Sequence, residues 1–281
     1  TDLEMGVHTW IGAEVKEEGT ITIPARTFSE FINSLPSEKV DISLDKQMLL
    51  VKTKNNSAQF NTLPADDFPK VPTVKDGNLL FSVKPVDIQN AINRVAIASA
   101  SDESRPVLTG IKVEVDGKSL TLIAVDGFRL ARQFVELEKP VKDVIDLLIP
   151  ARAMQELSKV IGDLYEEGDT KKKDYVEVYL LKKKNQVILR YKEVDLISRV
   201  IDGQFPEYKQ LIPTGYQTQV QINTGEFQNS VRIVNIFARN VIGNKAIIDI
   251  DPGRSEVKVG AALVEVGENE SSFKSKIAGE K

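Results

Sequence analysis

The 281-residue chain has few groups able to do covalent chemistry, and taking them in turn excludes most enzyme classes. It holds one histidine, His8, and no cysteine, which removes disulfides, thiolate metal sites and thiol nucleophiles. His8 stands near the end of a strand-like run without a partner at catalytic spacing, and reads as a packed or surface histidine. Gly117-Lys118-Ser119 has the tail of a phosphate-binding loop, but the first glycine of that motif falls on Lys112, so a hairpin turn accounts for it better. Asp126, Asp202 and Glu207 could be assembled into a carboxylate set, yet nothing near them has metal-ligand spacing and no histidine or cysteine accompanies them. No cofactor or metal is expected, and the chain reads as non-catalytic.

The remaining candidates are cations. Each expected helix carries arginine or lysine off its apolar face: Arg26 in one, Arg94 in the next, Arg152 with Lys159 in the third, and Arg232 with Arg239 in the fourth. Singly, such residues read as solvated helix charges. Their recurrence in four equivalent helices points instead to one cationic surface on a protein whose net charge is −4. Such a surface suits loose, salt-sensitive and sequence-independent contact with phosphates.

That equivalence rests on an internal repeat. Ile23-Pro24-Ala25-Arg26 recurs as Ile149-Pro150-Ala151-Arg152. An apolar-periodic helix and three strand-like runs follow each copy, over 39–44, 48–54 and 57–63 in the first and 175–181, 186–192 and 196–201 in the second. Phe68-Pro69 and Phe205-Pro206 close the two copies, and the second has grown at the charged loop 162–174. A second unit pairs the stretch 82–90 with 221–229, so that Ile88, Ile92 and Val95 match Phe227, Val231 and Val234 on one helix face. A spacing this long is that of a whole domain and exceeds any solenoid unit.

The layout is therefore the rear part of one domain over 1–76, a complete domain over 77–212 and the front part of a third over 213–281. Each complete domain has two similar halves of strand, helix and three strands. In the middle domain the expected elements are strand 79–83, helix 86–99, strands 110–115, 119–125 and 128–137, and a further strand over 147–150. The absent initiator Met and the repeats interrupted at both ends imply that residues are missing from each terminus. An apolar fraction of 41% with 28% charged residues is ordinary for a soluble protein. With no long apolar run and no leader pattern, a cytoplasmic location is expected.

The run Ser101-Asp102-Glu103-Ser104-Arg105-Pro106-Val107-Leu108-Thr109-Gly110, followed by Ala124-Val125-Asp126-Gly127-Phe128-Arg129-Leu130-Ala131, resembles the beta subunit of bacterial DNA polymerase III, the sliding clamp. Thr1-Asp2-Leu3-Glu4, the stretch 63–69 and the stretch 198–208 resemble the same family in the same order, so the likeness covers essentially the whole chain. It implies an α+β fold, the DNA-clamp fold, whose repeated domains each set two inner helices against outer antiparallel sheets. Two subunits of that family close head to tail into a ring around duplex DNA. The implied activity is that of a processivity factor for the replicative polymerase. The partners are duplex DNA without sequence preference, a second copy of the chain, the polymerase III alpha subunit and clamp loader, and other polymerases and repair proteins that carry short clamp-binding motifs; no membrane is involved. A β-rich protein-interaction scaffold without DNA is the alternative, and an enzyme acting on nucleotides would need a cluster the sequence lacks.

The resemblance also implies three sites. Arg105 joins Arg26, Arg94, Arg152, Lys159, Arg232 and Arg239 on the DNA-facing surface. A peptide pocket is lined by Leu108, Val125, Gly127, Phe128, Arg129, Leu130, Pro206 and Leu211, with Val125 and Phe128 where threonine and histidine are usual, which makes the pocket greasier. Arg129 is expected to bond the peptide. Ring closure sets the sheet edge 57–63, packed by Phe60, against an edge carrying Glu265, Glu268 and Glu270.

Overall fold

The computed structural model describes all residues except 67, 167–173, 239–244, 264–266 and 280–281. Contacts divide the chain into two compact units, Thr1–Pro206 and Glu207–Lys281.

The first unit opens with β1 (Met5–Thr9), β2 (Ile21–Thr22), α1 (Ala25–Ser34), β3 (Asp41–Asp45), β4 (Met48–Lys52), β5 (Ser57–Asn61) and β6 (Leu63–Pro64). It continues with β7 (Asn78–Val83), α2 (Pro85–Val95), β8 (Gly110–Asp116), β9 (Ser119–Val125), β10 (Leu130–Glu136), β11 (Ile145–Pro150), α3 (Ala151–Leu164), β12 (Val176–Leu181), β13 (Gln186–Tyr191) and β14 (Val194–Arg199). Proline punctuates the helix starts: Pro24 and Pro150 cap α1 and α3, and Pro85 occupies the first turn of α2, where an N–H would have no partner.

Two antiparallel sheets frame the middle repeat, in the orders β10-β9-β8-β11 and β1-β14-β13-β12-β7. One core joins both sheets to both helices. Ile88, Ala91, Ile92 and Val95 of α2 and Met154, Leu157 and Ile161 of α3 interleave with Ile111, Val113, Leu120 and Leu122 of the first sheet and Val176, Val187 and Leu196 of the second. The i, i+3, i+4, i+7 spacing in α2 is what commits that face to the core and leaves Arg94 outside. α2 and α3 run antiparallel: Gln89 donates to the Ser158 carbonyl at 2.9 Å and the Ser158 hydroxyl donates to Asn93 at 2.8 Å.

The expected boundary near residue 76 falls inside this unit. β1 pairs with β14 from Met5↔Ser198 to Thr9↔Val194, so the front stretch lends a strand to the middle repeat's second sheet. The stretch 69–77 is also more ordered than a plain linker, because Val71 and Val74 pack on Leu181, Ile188 and Ile197 and a capping box joins Thr73 to Asp76. The expected strand over 128–137 begins instead at Leu130, since residues 126–129 form a turn, and α3 runs on to Leu164, past the expected start of the charged loop.

The second unit contains β15 (Thr218–Gln221), α4 (Thr224–Ala238), β16 (Ile247–Asp251), β17 (Glu256–Leu263), β18 (Gly267–Lys274) and β19 (Lys276–Gly279). Val234, Ala238, Val257, Val259 and Ala261 form its core. Its sheet order is β16-β17-β18, with β15 paired to β19. Ile248, opposite Val259, is half exposed, whereas Val113, which occupies the like place opposite Leu122, is buried under a second sheet. The segment that reads in sequence as an acidic stretch is the edge strand β18.

Candidate nucleic-acid and peptide interfaces

The helix cations lie where the periodicity puts them. Arg26, Arg94, Arg105, Arg152, Lys159 and Arg232 are all exposed, while Arg239 lies outside the described residues. Each of the four helices thus presents at least one cation on its solvent face. Several are partly answered by neighbours: Arg26 by Glu30 at 3.0 Å, Lys159 by Glu156 at 2.7 Å, and Arg152 by Asp2 at 3.5 Å. Arg94 reaches Gln133 at 3.4 Å. These exposed pairs are weak and salt-screened, so a phosphate can displace the carboxylate at little cost. Asp2 is a participant that sequence reasoning missed, because only the β1–β14 pairing brings the amino-terminal turn beside α3.

The expected pocket residues of the first unit gather at one end of a sheet for topological reasons. Leu108 precedes β8, Val125 ends β9 and Leu130 starts β10, and antiparallel pairing puts those three points together. The segment after β14 crosses this end closely, since a Cβ built on Gly203 would lie 2.6 Å from Val107. Lys112 sits over the ring of Phe205 at 5.6 Å, and half-buried Pro206 follows. Leu108 and Val125 are buried, at 6% and 5% exposure. Phe128 is 99% exposed at the tip of the turn. Leu211, itself exposed, belongs to the second unit.

Asp126 holds that turn together. Its Oδ1 accepts the N–H groups of Phe128 at 2.9 Å and Arg129 at 2.7 Å, and its Oδ2 accepts Arg129 Nε at 2.8 Å. Gly127 supplies the φ of +92° that the turn requires. Burial alone would raise the Asp126 carboxyl's pKa, but the two N–H groups and the guanidinium together bring it below the ordinary carboxylate value. Arg129 is therefore held by Asp126 in this structure. It reaches a ligand only with donors that Asp126 does not use.

The two segments expected to meet at ring closure each include the outer strand of a sheet. β5 is the outer strand of the sheet β3-β4-β5 and β18 that of β16-β17-β18. Glu268 and Glu270 are exposed on β18, with Glu270 paired to Lys258 at 2.8 Å, and Glu265 lies outside the described residues. Phe60 is not at the surface. It is 8% exposed, packed with Leu49 and Val51 against α1.

Among the described residues no cluster of three or more histidines or acids could hold a metal, and no helix is long and apolar enough to cross a membrane. Asp202 is occupied by Asn185 at 2.7 Å. Gly117, with φ +55°, makes the β8–β9 hairpin turn.

Helices with outward cations, antiparallel outer sheets and repeated halves define a DNA-clamp type of protein, and the comparisons agree. Residues 1–72 match the family model of the DNA polymerase III beta subunit N-terminal domain and residues 82–207 that of its central domain, together well over half of the chain. The chain belongs to the bacterial DNA polymerase III beta subunit family. It is 30% identical over 257 residues to the beta sliding clamp of Staphylococcus epidermidis and 28% identical over 256 residues to that of Bacillus subtilis, matching 90% of this chain in both cases. It spans 64% of the length of these curated relatives. Among solved structures, the DNA polymerase III beta subunit of Thermotoga maritima superposes with a TM-score of 0.86 at 26% identity, covering 100% of this chain and 72% of that one. The Bacillus subtilis sliding clamp gives 0.85 at 25% identity, covering 100% and 73%.

Proposed function

We propose that the chain is the working part of a DNA polymerase processivity clamp: a non-catalytic, cytoplasmic ring component that closes with a second copy around duplex DNA, tethers the replicative polymerase and docks partners through short linear peptides. The observation that carries this reading is the recurrence of exposed cations on α1, α2, α3 and α4, two of which pack side by side in one repeat. Exposed Arg and Lys on rigid helices bond phosphate oxygens without reading bases, which is what a sliding contact needs. Kinship with the sliding clamps of Staphylococcus epidermidis and Bacillus subtilis supports it. On this reading three repeats contribute, over 1–76, 77–212 and 213–281. The loader, the alpha subunit and repair proteins use the end of the middle repeat that carries Leu108, Val125, Gly127, Phe128, Arg129, Leu130 and Pro206.

The test is retention on DNA. Replacing Arg105 and Arg152 by alanine should weaken binding to linear duplex and reduce its salt dependence by about one to two phosphate contacts. An unchanged salt slope would sink the DNA assignment. A β-rich scaffold that binds proteins alone would show no DNA retention in either form.

A further inference from the structure

The turn joining β12 to β13 carries charge that the fold does not need. Its residues are Lys182, Lys183, Lys184 and Asn185, all exposed. The equivalent turn in the first repeat, between β3 and β4, is only Lys46-Gln47, with Asp45 beside it. Both turns close through a residue at positive φ, Lys46 at 54° and Asn185 at 49°. The second has therefore kept its closing geometry while gaining two residues and three consecutive lysines. Like charges at adjacent positions repel, and among the described residues none of the three lysines has an ion-pair partner within salt-bridge distance. Asp76, near Lys184, is engaged by Thr73.

Nor is the turn a loose tip. The Asn185 side chain donates to Asp202 at 2.7 Å and the Asn185 carbonyl accepts the Val200 N–H at 3.0 Å, which ties the lysines to the end of the sheet. At that end Gln186 is paired with Arg199, an exposed guanidinium. Arg199 in turn lines a cleft of about 740 Å³ whose far wall includes Arg152 at the start of α3. The cleft itself is mixed, since Asp2, Glu4 and Glu103 also line it.

We propose that Lys182, Lys183, Lys184 and Arg199 form a second phosphate-binding surface, off the helix faces, which holds the sugar–phosphate backbone of nucleic acid leaving the helices past Arg152. The chemistry favours a nucleic-acid backbone over an acidic peptide. The lysines are point charges on flexible stems around a turn, with neither an apolar pocket nor the edge hydrogen bonds that would hold a peptide strand. Arg199 lines one cleft with Arg152, a cation proposed above to meet DNA, and the inference rests on that DNA reading.

The experiment measures binding of this chain to a short linear DNA and to a polyglutamate peptide, across a salt series, for wild type, the K182Q/K183Q/K184Q variant, the matching triple arginine variant and Arg152→Ala. The triple glutamine variant should lose about tenfold in DNA affinity near 0.1 M salt and about two to three contacts of salt slope, and the arginine variant should restore both. The three lysine side chains are exposed, so unchanged thermal melting is expected to accompany the loss. If the glutamine variant binds DNA like wild type while Arg152→Ala does not, the second surface is wrong and the DNA reading stands. Loss of polyglutamate binding alone would overturn it in favour of an acidic protein partner. If wild type binds no DNA at all, both readings fall.

Discussion

The ring of Phe60 meets that of Phe28 edge-on, with centroids 5.5 Å apart and planes at 75°, and Phe31 approaches from the same helix at 5.5 Å and 63°. Phe60 is thus the anchor that docks β5 onto α1, in a core whose fully or nearly buried members, among the described residues, are Leu49, Val51 and Phe60. With so few alternatives to take up the lost contact, Phe60→Ala should cost about 3–5 kcal/mol, read as a fall in urea midpoint at constant slope. A charged residue there would unfold this region before it could report on association. A cost below about 1 kcal/mol would show that the aromatic cluster does not hold the sheet.

Association must be probed from the outward edge. On the ring-closure reading, Glu268 and Glu270 of β18 meet a basic surface on a second copy, so E268K together with E270K should weaken concentration-dependent association of the chain by at least tenfold in sedimentation equilibrium, more at low salt than at high. Reversal that left association unchanged would remove these carboxylates from the interface.

Asp195 is fully buried on β14 and receives Arg190 Nε at 2.6 Å and a second guanidinium nitrogen at 2.7 Å. Trp10 lies over that guanidinium at 5.5 Å, so the pair also ties down the chain just past β1. Asp195→Ala leaves the arginine unpaired and should destabilise by about 3–5 kcal/mol, whereas the double replacement Arg190→Met with Asp195→Leu should recover most of the loss. Equal destabilisation by single and double variants would contradict this account.

Tyr179 gives a spectroscopic handle on the same sheet. Burial first, then its hydrogen bond to Glu177 at 2.8 Å, pushes its phenol up to about 12. A phenol whose folded pKa lies above the unfolded value near 10 stabilises the folded state fully below pH 10, and that contribution is lost as pH rises through about 12. Ultraviolet titration should therefore show Tyr179 ionising later than an ordinary phenol, and Glu177→Gln should bring it down. Ionisation of Tyr179 near pH 10 in the folded protein would refute the burial argument.

The fold was legible in sequence wherever a repeat or a period spoke for it. Ile23–Arg26 and Ile149–Arg152 located two helices, and the Ile88, Ile92, Val95 spacing fixed which face of α2 is buried and hence that Arg94 is exposed. Contacts between distant segments were not legible. Met5 opposite Ser198 depends on a non-local pairing that no local pattern encodes, and with it came Asp2 beside Arg152. The role of Asp126 was hidden because an Asx-type turn looks, in one dimension, like any acidic residue before a glycine. Phe60 was placed on the correct strand, but strand alternation alone does not say which of two faces a neighbouring helix will cover.

The Asp126 turn carries the last prediction. Leu108 and Val125 are buried, so changing them confounds docking with stability, while Phe128 is exposed and contributes nothing to the core. Phe128→Ala should leave the melting midpoint unchanged and lower the affinity of a Gln-x-x-Leu-Phe-type peptide about tenfold, as loss of one aromatic contact at a docking site does. Asp126→Asn should instead act through the turn. Because the Asp126 carboxyl's pKa lies below its ordinary value, its contribution is present above about pH 4 and is lost as pH falls through the lower, folded-state value. Protection of the Phe128 and Arg129 amides, measured relative to intrinsic exchange at each pH, should accordingly fall on acidification in the wild type and be low at every pH in the Asn variant, which keeps one acceptor but not the charge that holds Arg129. Peptide affinity that ignores both substitutions would move the docking site away from this end of the sheet.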